Sequence, residues 1–192
     1  MNGSSWYNRI VCGSQEITQG DIIFGCQAIK PIVTSVAEPN NEIEAEMVEY
    51  DGIILTQACD IEQSNIGTII MCPIKTIGTL IAEEGWSLNQ AKSQFGNISK
   101  NQMPAFFLLN RYQDDDGNGL DYTVADFKNI FSIPVDVLRS TASQNPFRLR
   151  LKSPYRESLS QAFARFFMRV GLPESIEKAA LNTRIEQYYS EN

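Results

Sequence analysis

Histidine is missing from all 192 positions of the chain. Imidazole is the usual general base near neutral pH and the commonest side-chain ligand of metals. Its absence excludes Ser-His-Asp and Cys-His catalysis, so any chemistry would have to use carboxylates, a thiol, Arg, Lys, Tyr or a metal held by oxygen atoms. Because the sequence contains no phosphate loop and no metal-binding motif, we expect neither a cofactor nor a bound metal.

Cysteine and long apolar segments are also scarce. The four cysteines show no CxxC spacing, and no apolar run approaches the roughly 18 residues that a membrane span requires. Residues 1–19 lack the charged-then-apolar layout of a signal peptide. These features predict reduced thiols, no membrane partner and a cytoplasmic location.

Positive charge is rare in the first two thirds of the chain. Residues 1–138 contain 7 basic and 18 acidic residues, whereas residues 139–192 contain 9 and 5, for a total charge of −7. The basic excess is concentrated between residues 148 and 169, and it includes Arg165 and Arg169. This basic face could contact nucleic acid or another anionic ligand, or it could neutralise the acidic half within the molecule.

Several segments have the composition and alternation of β-strands. They lie at 19–24, 51–55, 67–74, 104–109, 121–127, 129–133 and 147–152. In the last segment, Leu149 and Leu151 are predicted to point inward and Arg148, Arg150 and Lys152 outward. The acidic segment 38–49 is predicted to form a loop or a charged edge strand that could dock a partner.

Helix signals are clearest near the C-terminus. Ser153 and Pro154 predict a helix start, followed by an apolar stripe at helical spacing that ends at Gly171. A shorter helix is predicted over 87–95. We therefore expect an α+β protein with a bent antiparallel β-sheet or SH3-like β-barrel covered by C-terminal helices. The predicted parts are an N-terminal tail (1–18), a barrel-like domain with its packing helix (19–173) and a C-terminal helix (174–192).

The strongest candidate site follows the apolar strand at 51–55. Gln57, Cys59 and Asp60 stand directly after it, and polar groups at the end of a core strand are held rigidly. We expect these three side chains to gather in one hollow. The alternative is that Cys59 is a small core residue and Asp60 forms a turn with its own backbone.

The run from Asp114 to Gly119 resembles the opening of an EF-hand calcium loop. Asp114, Asp116 and Asn118 occupy the first, third and fifth positions, but Ala125 stands where a bidentate acid is required. The flanking segments are also strand-like rather than helical. The run is therefore predicted to be a polar hairpin tip.

One part of the sequence resembles the PemK/MazF toxins, which are small SH3-like barrels that commonly cut RNA without a metal. The resemblance is carried by Gly20-Asp21-Ile22-Ile23, by Ile53-Ile54-Leu55-Thr56-Gln57, and by the strand from Thr68 to Pro73-Ile74. Tyr50-Asp51 stands where that family has an Arg-Pro pair. This resemblance implies a metal-independent endoribonuclease. For such an enzyme the residues themselves offer Asp60 as a base, Arg169 to stabilise the phosphorane, and Cys59 as a further candidate catalytic residue.

A second set of motifs spans most of the chain and resembles an uncharacterised bacterial family of small stand-alone proteins. The set consists of Gly20-Asp21, Thr56-Gln57-Ala58-Cys59-Asp60, Asp126-Phe127, Ser153-Pro154-Tyr155-Arg156 and Arg169-Val170-Gly171-Leu172-Pro173. It implies a bacterial or phage cytoplasm. Our first functional hypothesis is a non-catalytic binding or regulatory module of a bacterial conflict system, of the phage-defence or toxin–antitoxin type, with a protein partner. Its binding residues would be Gln57, Cys59, Asp60, Arg165 and Arg169.

Overall fold

A computed structural model describes residues 6–32, 45–63 and 66–168, and the positions 177, 179, 182–184 and 186. The strands are β1 (Tyr7–Ile10), β2 (Asp21–Pro31), β3 (Ala45–Ile54), β4 (Thr68–Thr76), β5 (Phe106–Leu109), β6 (Tyr112–Gln113), β7 (Gly119–Leu120), β8 (Thr123–Asp126), β9 (Phe131–Pro134) and β10 (Arg148–Leu151). The helices are α1 (Ala58–Glu62), α2 (Ile77–Glu84), α3 (Leu88–Ser99), α4 (Val135–Gln144) and α5 (Tyr155–Phe167). None of these helices is long and apolar enough to cross a membrane.

Eight strands form one bent, antiparallel sheet. Its order is β1-β10-β2-β3-β4-β8-β5. β9 also pairs with β4, along a different part of that strand from β8. The two ends approach each other, because the hydroxyl of Tyr7 in β1 donates to the carbonyl of Asn110 just after β5 at 2.7 Å. Within the described residues, however, β1 and β5 have no backbone pairing. The predicted α+β class and bent antiparallel sheet are confirmed, but this sheet is open and is not a closed SH3-like barrel.

Each predicted strand overlaps an observed one, although β2 continues to Pro31 and β3 begins as early as Ala45. The sequence predicts that the strand over 67–74 ends at Pro73 or lies at an edge, because proline cannot donate to a ladder. Both expectations are wrong, since β4 is central and continues to Thr76. β4 pairs with β9 as far as Met71 and with β8 from Ile74 onward. Pro73 lies between these two partners, where the missing N–H does least harm.

The described helices are distributed along the chain rather than collected at its end. α1 to α4 alternate with strands, so the expected order of strands first and helices last is wrong. α2 and α4 were not predicted, since both are rich in β-branched and small polar residues of low helix propensity. Burial stabilises them instead: Leu80 of α2, and Leu138 and Ala142 of α4, are at most 1% exposed.

The remaining helix predictions hold in part. α3 begins where expected, with the backbone N–H of Ser87 donating to the side chain of Gln90. It continues through Gly96 to Ser99. α5 begins at Tyr155 and buries Leu159 against the sheet. The predicted stop at Gly171 and most of the predicted helix over 174–192 lie outside the described residues.

The segment predicted as an N-terminal tail contributes a strand. β1 pairs antiparallel with β10, with Tyr7 opposite Leu151. Tyr7 is 3% exposed and packs in the same apolar cluster as Leu109 and Leu149. This pairing brings the start of the chain beside α5, which follows β10. The juxtaposition is important for the site described below.

Candidate functional site

The predicted site residues lie together at the corner formed by α1. β3 ends at Ile54, and α1 begins four residues later with Gln57 at its N-cap position. Gln57, Cys59 and Asp60 are all exposed. The Cys59 thiol lies 3.6 Å from the nearer carboxylate oxygen of Asp60. The three side chains are therefore neighbours, but they project into solvent from a helix of five residues.

Two cavities lie beside α1, and neither is lined by these three residues. Their volumes are about 240 Å³ and about 340 Å³, and both are bordered by Ile61 and Arg139. The charged groups around Arg139 in these cavities are the carboxylates of Glu16, Glu62 and Asp136. Acidic groups outnumber basic ones there, so these cavities do not form an anion site.

One residue of the predicted basic face is buried, since Arg148 is 1% exposed, whereas Lys152 is half-buried. The Arg148 guanidinium donates to the carbonyls of Ser14 and Glu16 at 2.9–3.1 Å and lies 3.5 Å from the carboxylate of Asp21. The outward orientation predicted for Arg148 is therefore wrong. Asp21 is itself fully buried, and a buried charge requires a counter-ion.

Arg150 completes this buried network. Its Nε and Nη2 donate to the two carboxylate oxygens of Asp21 at 2.5 and 3.0 Å, and its Nη1 contacts Glu16. Burial raises the pKa of Asp21, and the hydrogen bond from Arg150 opposes that rise. The same hydrogen bond raises the pKa of Arg150. A bidentate guanidinium–carboxylate pair of this kind joins β10 to β2, where Arg150 stands opposite Asp21.

The other arginines of the predicted face differ in their surroundings. Arg156 pairs with the neighbouring Glu157 at 2.9 Å. Arg165 is exposed on α5, and Arg169 lies outside the described residues. Of the predicted face, Arg148 and Arg150 are thus engaged by Asp21, and Arg165 is the exposed arginine among the described residues.

A larger groove lies where the two ends of the sheet approach each other. Its volume is about 360 Å³. We call it the seam groove and define it by six of its lining residues: Trp6, Tyr155 and Ser158 on the side of β1 and α5, and Phe107, Leu108 and Asn110 on the side of β5. The end of α3 closes one end of the groove with Ile98 and Ser99, followed by Asn101.

The walls of the seam groove are aromatic and rigid. The rings of Trp6 and Tyr155 are stacked, with centroids 4.1 Å apart and planes 13° from parallel. Next to Trp6, the hydroxyl of Tyr7 bonds to Asn110 across the seam. Burial raises the pKa of Tyr7 well above its ordinary value, so its phenol remains a hydrogen-bond donor. Backbone pairing also fixes Trp6, whose carbonyl accepts from the N–H of Lys152 at 2.9 Å.

The seam groove could not be predicted from the sequence. Trp6 lies in the segment predicted as a tail, and Tyr155 belongs to an apolar stripe predicted as core. Pairing of β1 with β10 brings them together, and neither strand pattern specifies its partner. The local signal was the adjacent pair of aromatic residues Trp6 and Tyr7 in a segment otherwise predicted as a tail.

The acidic run at 114–119 forms the hairpin tip that the sequence predicted. It connects β6 to β7, and one carboxylate oxygen of Asp114 accepts the backbone N–H groups of Asp116 and Asn118. Gly117 has a φ of +84°, which glycine adopts without strain. Among the described residues there is no group of three or more Cys, Asp or Glu side chains that could hold a metal.

The chain matches no family model, no curated protein and no solved structure. The two resemblances given above therefore rest on the sequence motifs alone. Two regions of the described structure offer candidate binding groups: the seam groove and the α1 corner, which we define as Gln57, Cys59 and Asp60.

Proposed function

We propose that the protein is a non-catalytic binding module and that the seam groove is its ligand site. The observation that carries this proposal is a groove of about 360 Å³ between β1 and β5, the two ends of the sheet, which have no backbone pairing with each other in the part of the chain that the structure describes. Ligand sites typically have volumes of about 300–1,000 Å³, with mainly apolar walls and a few polar groups. The seam groove has this composition, since aromatic rings flank the polar side chains of Ser158 and Asn110.

The lining of the groove supports binding rather than catalysis. Its lining residues include no Asp, Glu, Lys, Arg or Cys. The only titratable side chains that line it are the phenols of Tyr122 and Tyr155. Such a site can orient a ligand by hydrogen bonds and stacking, but it offers no general base near neutral pH.

The biological setting of the proposal comes from the sequence. The motifs that resemble bacterial families are the basis for proposing a bacterial conflict system, of the phage-defence or toxin–antitoxin type, with a protein partner. In this proposal the seam groove replaces the α1 corner as the main contact. Gln57, Cys59, Asp60 and Arg165 remain exposed and available as secondary contacts.

A metal-independent endoribonuclease of PemK/MazF type is the second candidate. The observation in its favour is that Asp60 and Cys59 are adjacent and exposed, so that RNA could reach both. The observation against it is electrostatic. No Arg or Lys among the described residues forms an ion pair with Asp60, and phosphoryl transfer needs a cation to stabilise the developing charge.

Filling the groove tests the first proposal. Ser158→Trp places a large ring at the groove wall, whereas Gln161→Trp makes the same kind of change at an exposed position of α5 outside the lining. Tagged full-length protein and both variants are purified from the native cells, and co-purifying proteins are identified. We expect a partner that is retained by wild type and Gln161→Trp but lost from Ser158→Trp.

Two results would overturn this proposal. One is a partner retained equally by both tryptophan variants, since the groove would then not be the contact. The other is cleavage of single-stranded RNA by the purified wild type in the presence of a chelator, with loss of cleavage in a folded Asp60→Ala variant. That second result would establish the endoribonuclease instead.

A further inference from the structure

The open edge of β5 presents main-chain hydrogen-bonding groups to the seam groove. β5 pairs with β8 on one side and has no strand partner on the other among the described residues. The ladder with β8 is antiparallel, with Phe107 opposite Ala125. Next to it, the N–H of Phe127 donates to the carbonyl of Ala105 at 2.9 Å.

This hydrogen bond determines which groups point off the edge. Successive residues of a strand direct their N–H and C=O groups to opposite sides. Since Ala105 faces β8, Phe107 and Leu109 also face β8. The N–H and C=O of Leu108 therefore point away from the sheet, and both Leu108 and its neighbour Phe107 line the seam groove.

The chemistry of the groove restricts what can occupy this edge. An unpaired N–H and C=O on one strand residue match the main chain of another extended segment, as in recognition by strand addition. The lining residues are uncharged, so they offer no counter-ion to a phosphate or carboxylate. The stacked rings of Trp6 and Tyr155 border the same space and suit an apolar or aromatic side chain.

We propose that the ligand of the seam groove is an extended, uncharged peptide segment of a protein partner, which adds as a strand to β5. The main chain of this segment bonds to Leu108, and one of its apolar side chains lies against Trp6 and Tyr155. The inference rests on the proposed binding function and specifies the class of ligand. Nucleic acid and free small molecules are the excluded alternatives.

A proline at position 108 tests the main-chain contact. Leu108→Pro removes an N–H that faces away from β8, and proline is tolerated at this kind of edge position. Leu108→Val shortens the side chain similarly but keeps the N–H. The probe is a library of random 12-residue peptides displayed on phage and selected against the full-length protein. A selected peptide should bind Leu108→Val like wild type and bind Leu108→Pro about tenfold more weakly, as expected for one lost hydrogen bond.

Two further measurements separate strand addition from simple occupation of the groove. Methylating the main-chain nitrogens of the peptide one at a time should weaken binding at every second position, because an added strand bonds through alternate residues. Amide hydrogen exchange of Leu108 in the unaltered protein should slow when the peptide binds. This second measurement needs no variant, so it decides the question even if Leu108→Pro fails to fold.

The outcomes distinguish the two proposals. If peptides bind and Ser158→Trp abolishes the binding, but N-methylation shows no alternation and Leu108 exchange is unchanged, strand addition is wrong and the binding module remains. If no peptide is selected although a native partner is lost from Ser158→Trp, the inference is likewise overturned. If selected peptides bind Ser158→Trp as well as wild type, both proposals fail.

Discussion

The α1 corner and the seam groove differ in how they are built. The α1 corner consists of residues that are neighbours in sequence, and all three are exposed on a five-residue helix. The seam groove consists of residues from three separate parts of the chain, near positions 6, 98–122 and 155–158, brought together by β1–β10 pairing and by the curvature of the sheet. The first was predictable from local sequence, whereas the second depends on the tertiary fold.

The comparison shows why a dense polar motif is weak support for a site. Gln57, Cys59 and Asp60 follow a buried strand, yet the helix that contains them turns them toward solvent. By contrast, the walls of the seam groove are fixed by buried contacts, including the Tyr7 hydrogen bond to Asn110. Side chains that the fold holds in place favour a site, and such contacts are more numerous around the seam groove than among the three exposed residues of the α1 corner.

The largest predicted effect concerns the ion network that fixes β10 and β2. Asp21→Asn removes the buried carboxylate charge and leaves Arg148 without its counter-ion. Breaking a buried ion pair in this way typically costs about 3–5 kcal/mol. Denaturant unfolding should show a loss of this size, with Asp60→Asn in the α1 corner as a control. A loss below about 1 kcal/mol would mean that the network contributes little to stability.

Alkaline pH should weaken the fold through its two buried thiols, Cys26 and Cys72, and the buried phenol of Tyr7. Burial raises the pKa of Cys26 from 9.0 to about 12, and it raises the pKa of Tyr7 above 10.0. A raised pKa means that the stabilising contribution is complete below the unfolded value and declines as the pH rises above it. The free energy of unfolding should therefore fall above pH 9, and the fall should be shallower in Cys26→Ala. An identical slope in that variant would contradict this assignment.

A smaller effect is expected from the hydrogen bond that spans the seam. Tyr7→Phe retains the packing of the ring but removes the donor to Asn110, so it should lower the free energy of unfolding by about 1 kcal/mol. Tyr122→Phe is the matched control, because Tyr122 is 40% exposed. Equal effects of the two changes, measured by denaturant titration, would show that the bond across the seam does not stabilise the bent sheet.

The smallest effects are expected in the α1 corner. Cys59→Ser and Asp60→Ala alter exposed side chains whose mutual contact is long, at 3.6 Å. Surface changes of this kind usually shift stability by less than about 0.5 kcal/mol. Both variants should also keep the partner identified with the wild-type protein. Loss of the partner in either folded variant would mean that the α1 corner, and not the seam groove, is the main contact.

Much of the fold could be predicted because strand alternation is a local property. Leu149 and Leu151 of β10 are buried as the alternation requires. The same alternation wrongly predicts that the Arg148 side chain points outward. Arg148 is buried with its counter-ion Asp21, which belongs to a strand far away in sequence. The prediction that the strand ends at Pro73 or lies at an edge was wrong for a related reason. Only the full sheet shows that β4 pairs with β9 before this residue and with β8 after it.

The candidate site could not be predicted, because no single segment of the sequence specifies the order of the strands in the sheet. Tyr155 satisfies the helical stripe on which the prediction of α5 was based, yet its ring also stacks on Trp6. The free edge at Leu108 is visible only once β5 is known to end the sheet. Local patterns predict which residues form strands, but neighbouring strands decide which edges stay open.

Amide hydrogen exchange of the unbound protein tests the open seam most directly. The N–H of Leu108 points off the sheet edge, while the flanking N–H groups of Phe107 and Leu109 face β8. Residue-resolved NMR should therefore find Leu108 exchanging much faster than Phe107 and Leu109. Protection of Leu108 equal to that of its two neighbours would mean that the edge is already paired, and it would contradict an open seam as the binding site.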